Sequence, residues 1–203
     1  MKGKRRDNQI AFMAGVIFLV LAIGAVGFSV TGDNGKEKAQ KTKIAEKRAE
    51  NKGAENMQTN PLRQGDNPEI LRTVEEYYEK LTEEKEFVED YRNIQTYIKN
   101  GKYEDTYVAF VKYGMKIKDI YTEVPGLRTL YVIKDGTSGK YRIYTEALDH
   151  ETQQYIKTVA AHEDVQKLME KENQEYKKAV QSDALLREAL ADLRKAYEDG
   201  TGN

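Results

Sequence analysis

Hydrophobic and polar positions change their rhythm several times along the chain, and each change predicts a different element. Residues 10–30 read IAFMAGVIFLVLAIGAVGFSV without a charged side chain. At about 1.5 Å per residue such a run spans roughly 30 Å as a helix, the thickness of a bilayer's hydrocarbon core. It predicts a transmembrane helix opening at Ile10 and closing at Val30. The preceding residues 1–9 carry Lys2, Lys4, Arg5 and Arg6 against Asp7 alone. The positive-inside rule keeps this basic tail in the cytoplasm and sends the rest of the chain outside. A cleaved signal peptide shares both features, and Ala25-Val26-Gly27 offers a loose cleavage site, but apolar signal regions usually run about 7–15 residues. The length favours a retained single-pass anchor in the cell membrane; cleavage would give a secreted domain.

Residues 31–66 have almost no large apolar side chain and mix both charges. Such a stretch buries too little to offset the entropy of ordering, so it reads as a disordered or partly helical spacer. At Asn67-Pro68-Glu69 a cap, a first-turn proline and an acid at the positive end of the helix dipole announce a helix. Ile70, Leu71, Val74, Tyr77, Tyr78 and Leu81 follow at helical spacing. The acidic EEKEFVEDY beyond it has room for one or two further turns.

From Asn93 the period becomes two. NIQTYI, TYVAFVKYGMKIKDI, LRTLYVI and KYRIYTE predict four strands, joined by turn chemistry at Asn100-Gly101, Val124-Pro125-Gly126 and Asp135-Gly136-Thr137-Ser138-Gly139. Short joints imply an antiparallel meander, and Gly114 suggests a bulge or bend in the long second strand. Three amphipathic helices follow, carrying Tyr155 to Ala160, Val165 to Val180 and, after a Ser182 cap, Leu185 to Tyr197. The expected fold is α+β: an N-terminal transmembrane helix, a helix, a curved four-stranded antiparallel meander and three C-terminal helices. The extracytoplasmic domain is placed at residues 67–199, with a tail at 200–203.

Composition narrows the chemistry. The chain has no cysteine, so an exported domain gains neither disulfides nor a thiol nucleophile. In the second strand Tyr107, Ala109, Val111, Tyr113, Met115 and Ile117 share one face, while Val108, Phe110, Lys112, Gly114, Lys116 and Lys118 share the other. A partner-binding face would use Lys112, Lys116, Lys118, Arg128, Lys140 and Arg142, with Tyr144 or Tyr121 between them. Residues 103–146 hold seven basic and six acidic side chains, so little positive field remains and nucleic acid is not an expected partner. A solvated strand face is the competing explanation.

His150 and His162 each adjoin carboxylates but stand at helix starts, which suits first-turn polar residues better than metal ligands. No phosphate loop, nucleophile elbow or zinc-protease motif is present. No catalytic, metal or cofactor residues are therefore assigned.

The run NIQTYIKNGKYEDTYVAFVKYGMKIKDIYTEVPGLRTLYVIKDGTSGKYRIYT, followed by YIKTVAAHEDVQKLMEKENQEYKKAVQSDALL, resembles uncharacterised membrane-anchored extracytoplasmic domains of Firmicutes. The order of elements resembles the nuclear transport factor two-like superfamily of cone-shaped α+β domains. Members of that superfamily place two or three helices before the sheet. Here only EEKEFVEDY intervenes, which implies an incomplete cone covered by the C-terminal helices. The expected function is a non-catalytic binding or scaffolding domain at the bacterial cell envelope, its partner a protein or a cell-wall component. Two rivals stand beside it: an assembly component of an envelope-spanning secretion or conjugation machine, and a small-ligand receptor or enzyme using the concave sheet face. Oligomeric state is not read from the sequence.

Overall fold

The computed structural model describes residues 48–145 and 148–201. The basic tail, the predicted transmembrane helix at residues 10–30 and the first part of the spacer lie outside the described residues. Among those described, no helix is long and apolar enough to cross a membrane. The elements run β1 (Arg63–Gln64), α1 (Pro68–Glu84), β2 (Val88–Asn100), β3 (Thr106–Ile117), β4 (Val124–Lys134), β5 (Tyr141–Ile143), α2 (His150–Ala160), α3 (Glu163–Ser182) and α4 (Ala184–Thr201).

The helix announced at Asn67 forms there because its side-chain oxygen accepts from the backbone N–H groups of Glu69 and Ile70, each at 3.1 Å. Ile70, Val74, Tyr78 and Leu81 make its buried stripe. They pack against β2 and β5 on one face of a five-stranded antiparallel sheet ordered β1-β2-β3-β4-β5. That face carries Ala109, Val111, Tyr113, Met115 and Ile117 of β3, and Leu186 of α4 joins it. The opposite face carries Val108, Phe110, Leu127, Tyr131 and Ile133 beneath Tyr155, Ile156 and Val159 of α2 and Val165 of α3. The parity expected for β3 is therefore present, with a helical layer over each side.

Several sequence expectations change. The meander has a fifth strand, because β1 pairs Arg63 and Gln64 with Ile98 and Tyr97. Phe87 to Tyr91 does not extend the helix: β2 starts at Val88, since Val88 and Tyr91 turn inward onto the α1 face. The bend lies in β2 rather than at Gly114, where the register slips between Arg92 and Gln95 and Asn93 adopts φ 56°. Val124, Pro125 and Gly126 belong to β4, paired with Met115, Gly114 and Tyr113. The turn precedes them at residues 118–123, with Asp119 at φ 63°. Asp183, not Ser182, caps α4 by accepting from the Leu186 N–H at 3.1 Å. Helix α4 continues to Thr201, into the expected tail.

The largest difference concerns residues 48–66, read from composition as spacer. They form a strap on the folded unit. Asn51 donates to the carbonyls of Gly101 and Tyr103 at 2.9 and 2.8 Å, and the Asn51 N–H reaches Lys102 O at 2.8 Å. Asn60 is fully buried, donating to Ala54 O at 2.8 Å and accepting from the Asn100 N–H at 2.8 Å. Side-chain amides and backbone groups hold this segment, which is why its low apolar content misleads.

Candidate interaction surface

The seven residues proposed for a partner face do not share one. Lys112 lies under α3, its Nζ 2.9 Å from Glu172 Oε2 and 2.6 Å from Glu175 Oε2. Glu172 is fully buried, and neither of its oxygens accepts a well-directed hydrogen bond despite that ion pair. Burial pushes its carboxyl above the usual range, and the Lys112 ammonium offsets this only in part. The half-basic face of β3 is thus covered at Lys112, because α3 brings carboxylates to it.

Arg128 sits on the opposite face, as its pairing with Val111 requires. Its guanidinium lies 5.4 Å from the Tyr77 ring centre. Tyr78 packs 4.9 Å from Tyr91 and 5.1 Å from Tyr113, centre to centre. The hydroxyls of Tyr78 and Tyr91 are buried without a hydrogen-bond partner. Burial raises the phenol of Tyr113 to about 12. Lys85, beside this cluster at the end of α1, is lowered to about 8 by burial and then by the like charge of Arg128. Helix α1 fills this side of the sheet, so the cluster is a packed wall.

Lys140 and Arg142 lie exposed at the β4–β5 turn and on β5, where the Arg142 guanidinium is 5.7 Å from the Tyr144 ring. Asp135 shapes that turn by accepting from the N–H groups of Thr137 and Ser138 at 3.0 and 2.7 Å, which hold its carboxyl below the usual range. Lys116, near the end of β3, and Lys118, just past it, stand at the other end of the sheet.

Around those two lysines the molecule leaves its apolar chemistry open. Tyr121 is 93% exposed and Leu185 62%, the two large hydrophobics exposed among the described residues. The Lys116 ammonium donates to the carbonyls of Ile120 and, at 2.9 Å, Tyr121, and lies 5.6 Å from the Tyr121 ring centre. The Asp183 carboxylate accepts from the Thr122 side chain and from the N–H groups of Leu186, Leu185 and Thr122, which hold it below the usual range. The β3–β4 loop and the α3–α4 junction are thereby joined into one surface. From sequence, Tyr121 is a stacking partner between basic residues, and Leu185 belongs to a Leu-rich helix that could bind a partner but is expected to pack on the sheet or its neighbour helices. The available signal was Tyr121's place in a turn, outside the strand alternation that buries its neighbours.

The histidines do not converge. His150 opens α2, and its Nε2 lies 3.3 Å from Gln154 Nε2. His162 precedes α3 and donates from Nε2 to Glu55 O at 2.9 Å. Among the described residues no cluster of three or more His, Asp or Glu could hold a metal ion. A shallow hollow of about 550 Å³ lies between the strap and the start of α2, lined by Glu50, Asn51, Lys102 and Tyr155 among others. Lys102 spans it, 2.7 Å from Glu151 and 3.6 Å from Glu50.

These features define an α+β domain whose antiparallel sheet is covered by helices on both faces. Neither protein-family models, nor curated proteins, nor solved structures give a match to it.

Proposed function

We propose that the chain is a single-pass, membrane-anchored domain that binds or scaffolds a protein partner outside the cytoplasm, without catalysis. The observation that carries this reading is the uncharged run at residues 10–30 behind a tail bearing four basic residues and one acid. The fold supports it: α1 fills one sheet face and α2 with α3 the other, so recognition falls to the ends of the sheet. In this reading the chain between Val30 and the described strap links the anchor to the domain.

The absence of native cysteine makes the topology directly measurable. Single cysteines at Lys4→Cys and Lys118→Cys, probed in intact cells with a membrane-impermeant maleimide, are expected to label only at position 118. Labelling of position 4 alone, or recovery of the chain in the soluble cytoplasmic fraction, overturns the reading.

A further inference from the structure

We propose that Lys112, Glu172 and Glu175 form a proton-binding latch, which tightens helix α3 on the sheet when the medium turns mildly acidic. The latch lies inside the domain, so the proposal is independent of the anchor.

Charge count is the first argument. The Lys112 ammonium stands between two carboxylates, 2.9 Å from Glu172 Oε2 and 2.6 Å from Glu175 Oε2, so the ionised triad has one anion in excess. Carboxylates that share a site raise the proton affinity of one of them. Glu172 is that one. Its side chain is fully buried, whereas 37% of the Glu175 side chain is exposed and water solvates it. Neither Glu172 oxygen accepts a well-directed hydrogen bond, so the ionised form lacks the donors a buried carboxylate needs. Lys112 keeps its own proton: burial opposes the charge, but the hydrogen bonds and charges of Glu175 and Glu172 outweigh it. Neutralising Glu172 therefore removes the excess anion and strands no cation, because Glu175 still holds the lysine.

The surroundings are the second. On β2 and β4 the residues paired with Lys112 are Gln95 and Leu127, neither of which titrates. Two residues along β3, Glu123 lies over Gly114 and is held by Arg92 and Asn93 at 3.5 and 3.4 Å. Lys116, two residues further, donates to the carbonyls of Ile120 and Tyr121. Tyr113 turns to the other face of the sheet, where burial raises its phenol to about 12. On α3 Lys171 adjoins Glu172 but is exposed, so solvent screens it. Arg194 of α4 faces Tyr176, one turn along α3.

The sign of the effect is the third. Unfolded, the Glu172 carboxyl takes up its proton near 4.5; burial, offset only in part by Lys112, moves that uptake to higher pH in the folded chain. Between the two values the folded chain holds a proton that the unfolded chain does not. The stabilisation is complete below about 4.5 and is lost as pH rises through the folded value. Asp164 and Asp183 fasten the two ends of α3, and despite the burial of Asp164 their hydrogen bonds hold both carboxyls below the usual range. Mild acid thus tightens the middle of the helix without releasing its ends.

The test follows amide hydrogen exchange by mass spectrometry in the full chain in lipid nanodiscs, between about pH 7.5 and 5, with labelling times scaled to the intrinsic exchange rate. Protection of residues 168–176 is expected to rise by at least about threefold on acidification. Glu172→Gln, which fixes the neutral form, should keep high protection at both ends of the range. Glu175→Gln removes the excess anion and leaves Lys112 to Glu172 alone, so the rise should move to lower pH. Protection that stays level or falls on acidification in the parent overturns the proposal, as does an equal rise in Glu172→Gln. A rise at the parent's pH in Glu175→Gln also overturns it, because the charge count would then play no part. That variant alters a partly exposed site and decides the question even where Glu172→Gln does not fold.

Discussion

Lys99 and Asp164 meet at 2.8 Å, with no part of the lysine side chain exposed. The Lys99 ammonium also donates to Asn60 O at 2.7 Å, while Asp164 Oδ2 accepts from the Leu62 N–H at 2.8 Å. Strand, strap and the first turn of α3 are therefore locked at one point. Burial pushes the Asp164 carboxyl up, but its hydrogen bonds from Lys99, Leu62 and Val165 and the lysine charge outweigh that and hold it below the usual range. Asp164→Ala strands a fully buried cation and should cost about 3–5 kcal/mol in urea unfolding. Lys99→Met should cost less, because the aspartate left behind is partly exposed and rehydrates.

Gly126 faces Tyr113 across β3 and β4, and a methyl group there would come 2.5 Å from the ring's Cζ. The ring is fully packed among Tyr78 and Tyr91 and has nowhere to retreat. Gly126→Ala should therefore destabilise by about 1–3 kcal/mol. Gly136→Ala, where nothing lies within 4 Å, is the matched control and should shift the thermal midpoint little.

Lys85 gives the stability curve an alkaline feature. Its ammonium is lowered from 10.5 to about 8 in the folded chain, by burial first and Arg128 second. Between those values the unfolded chain binds the proton and the folded chain does not, so this group adds stability as pH rises through the window. Below about 8 the charge is carried in both states and its burial penalty is complete. Lys85→Met should raise the thermal midpoint at pH 7, and its advantage over the parent should shrink as pH climbs from 8 to 10.

The domain boundary is equally testable. A fragment starting at Arg48 keeps every described strap contact and should melt as a fragment starting at Thr31 does. A fragment starting at Asn67 exposes Lys99 and removes Asn60 from beneath Asn100, losing at least the several kcal/mol of a broken buried polar pair. Equal midpoints for the fragments starting at Arg48 and Asn67 would contradict the structural role given to the strap.

Sequence alone reached the core where burial is written as periodicity. The stripe Ile70, Val74, Tyr78, Leu81 and the alternation of β3 both lie where they were expected. It missed what is held by polar groups, since Asn51 and Asn60 look like spacer residues until their carbonyl partners are in place. Pro125-Gly126 carries the chemistry of a turn, yet the glycine is there to admit the Tyr113 ring. The basic residues scattered for a related reason: parity tells which side of a strand Lys112 faces, but not that α3 will lay Glu172 and Glu175 over it. Tyr121 and Leu185 became a surface only through Asp183 and Thr122, a contact between segments far apart in the chain.

Helix α3 is secured at both extremities: Asp164 in its first turn is bound to Lys99 and the strap, and Asp183 after its last turn is bound to the loop that carries Tyr121. Its 20 residues make a rod about 30 Å long, pressed lengthwise on β4. A displacement of the strap at one end of this helix is thus passed along a stiff strut to the loop that carries the exposed tyrosine at the other, and the reverse holds by the same path.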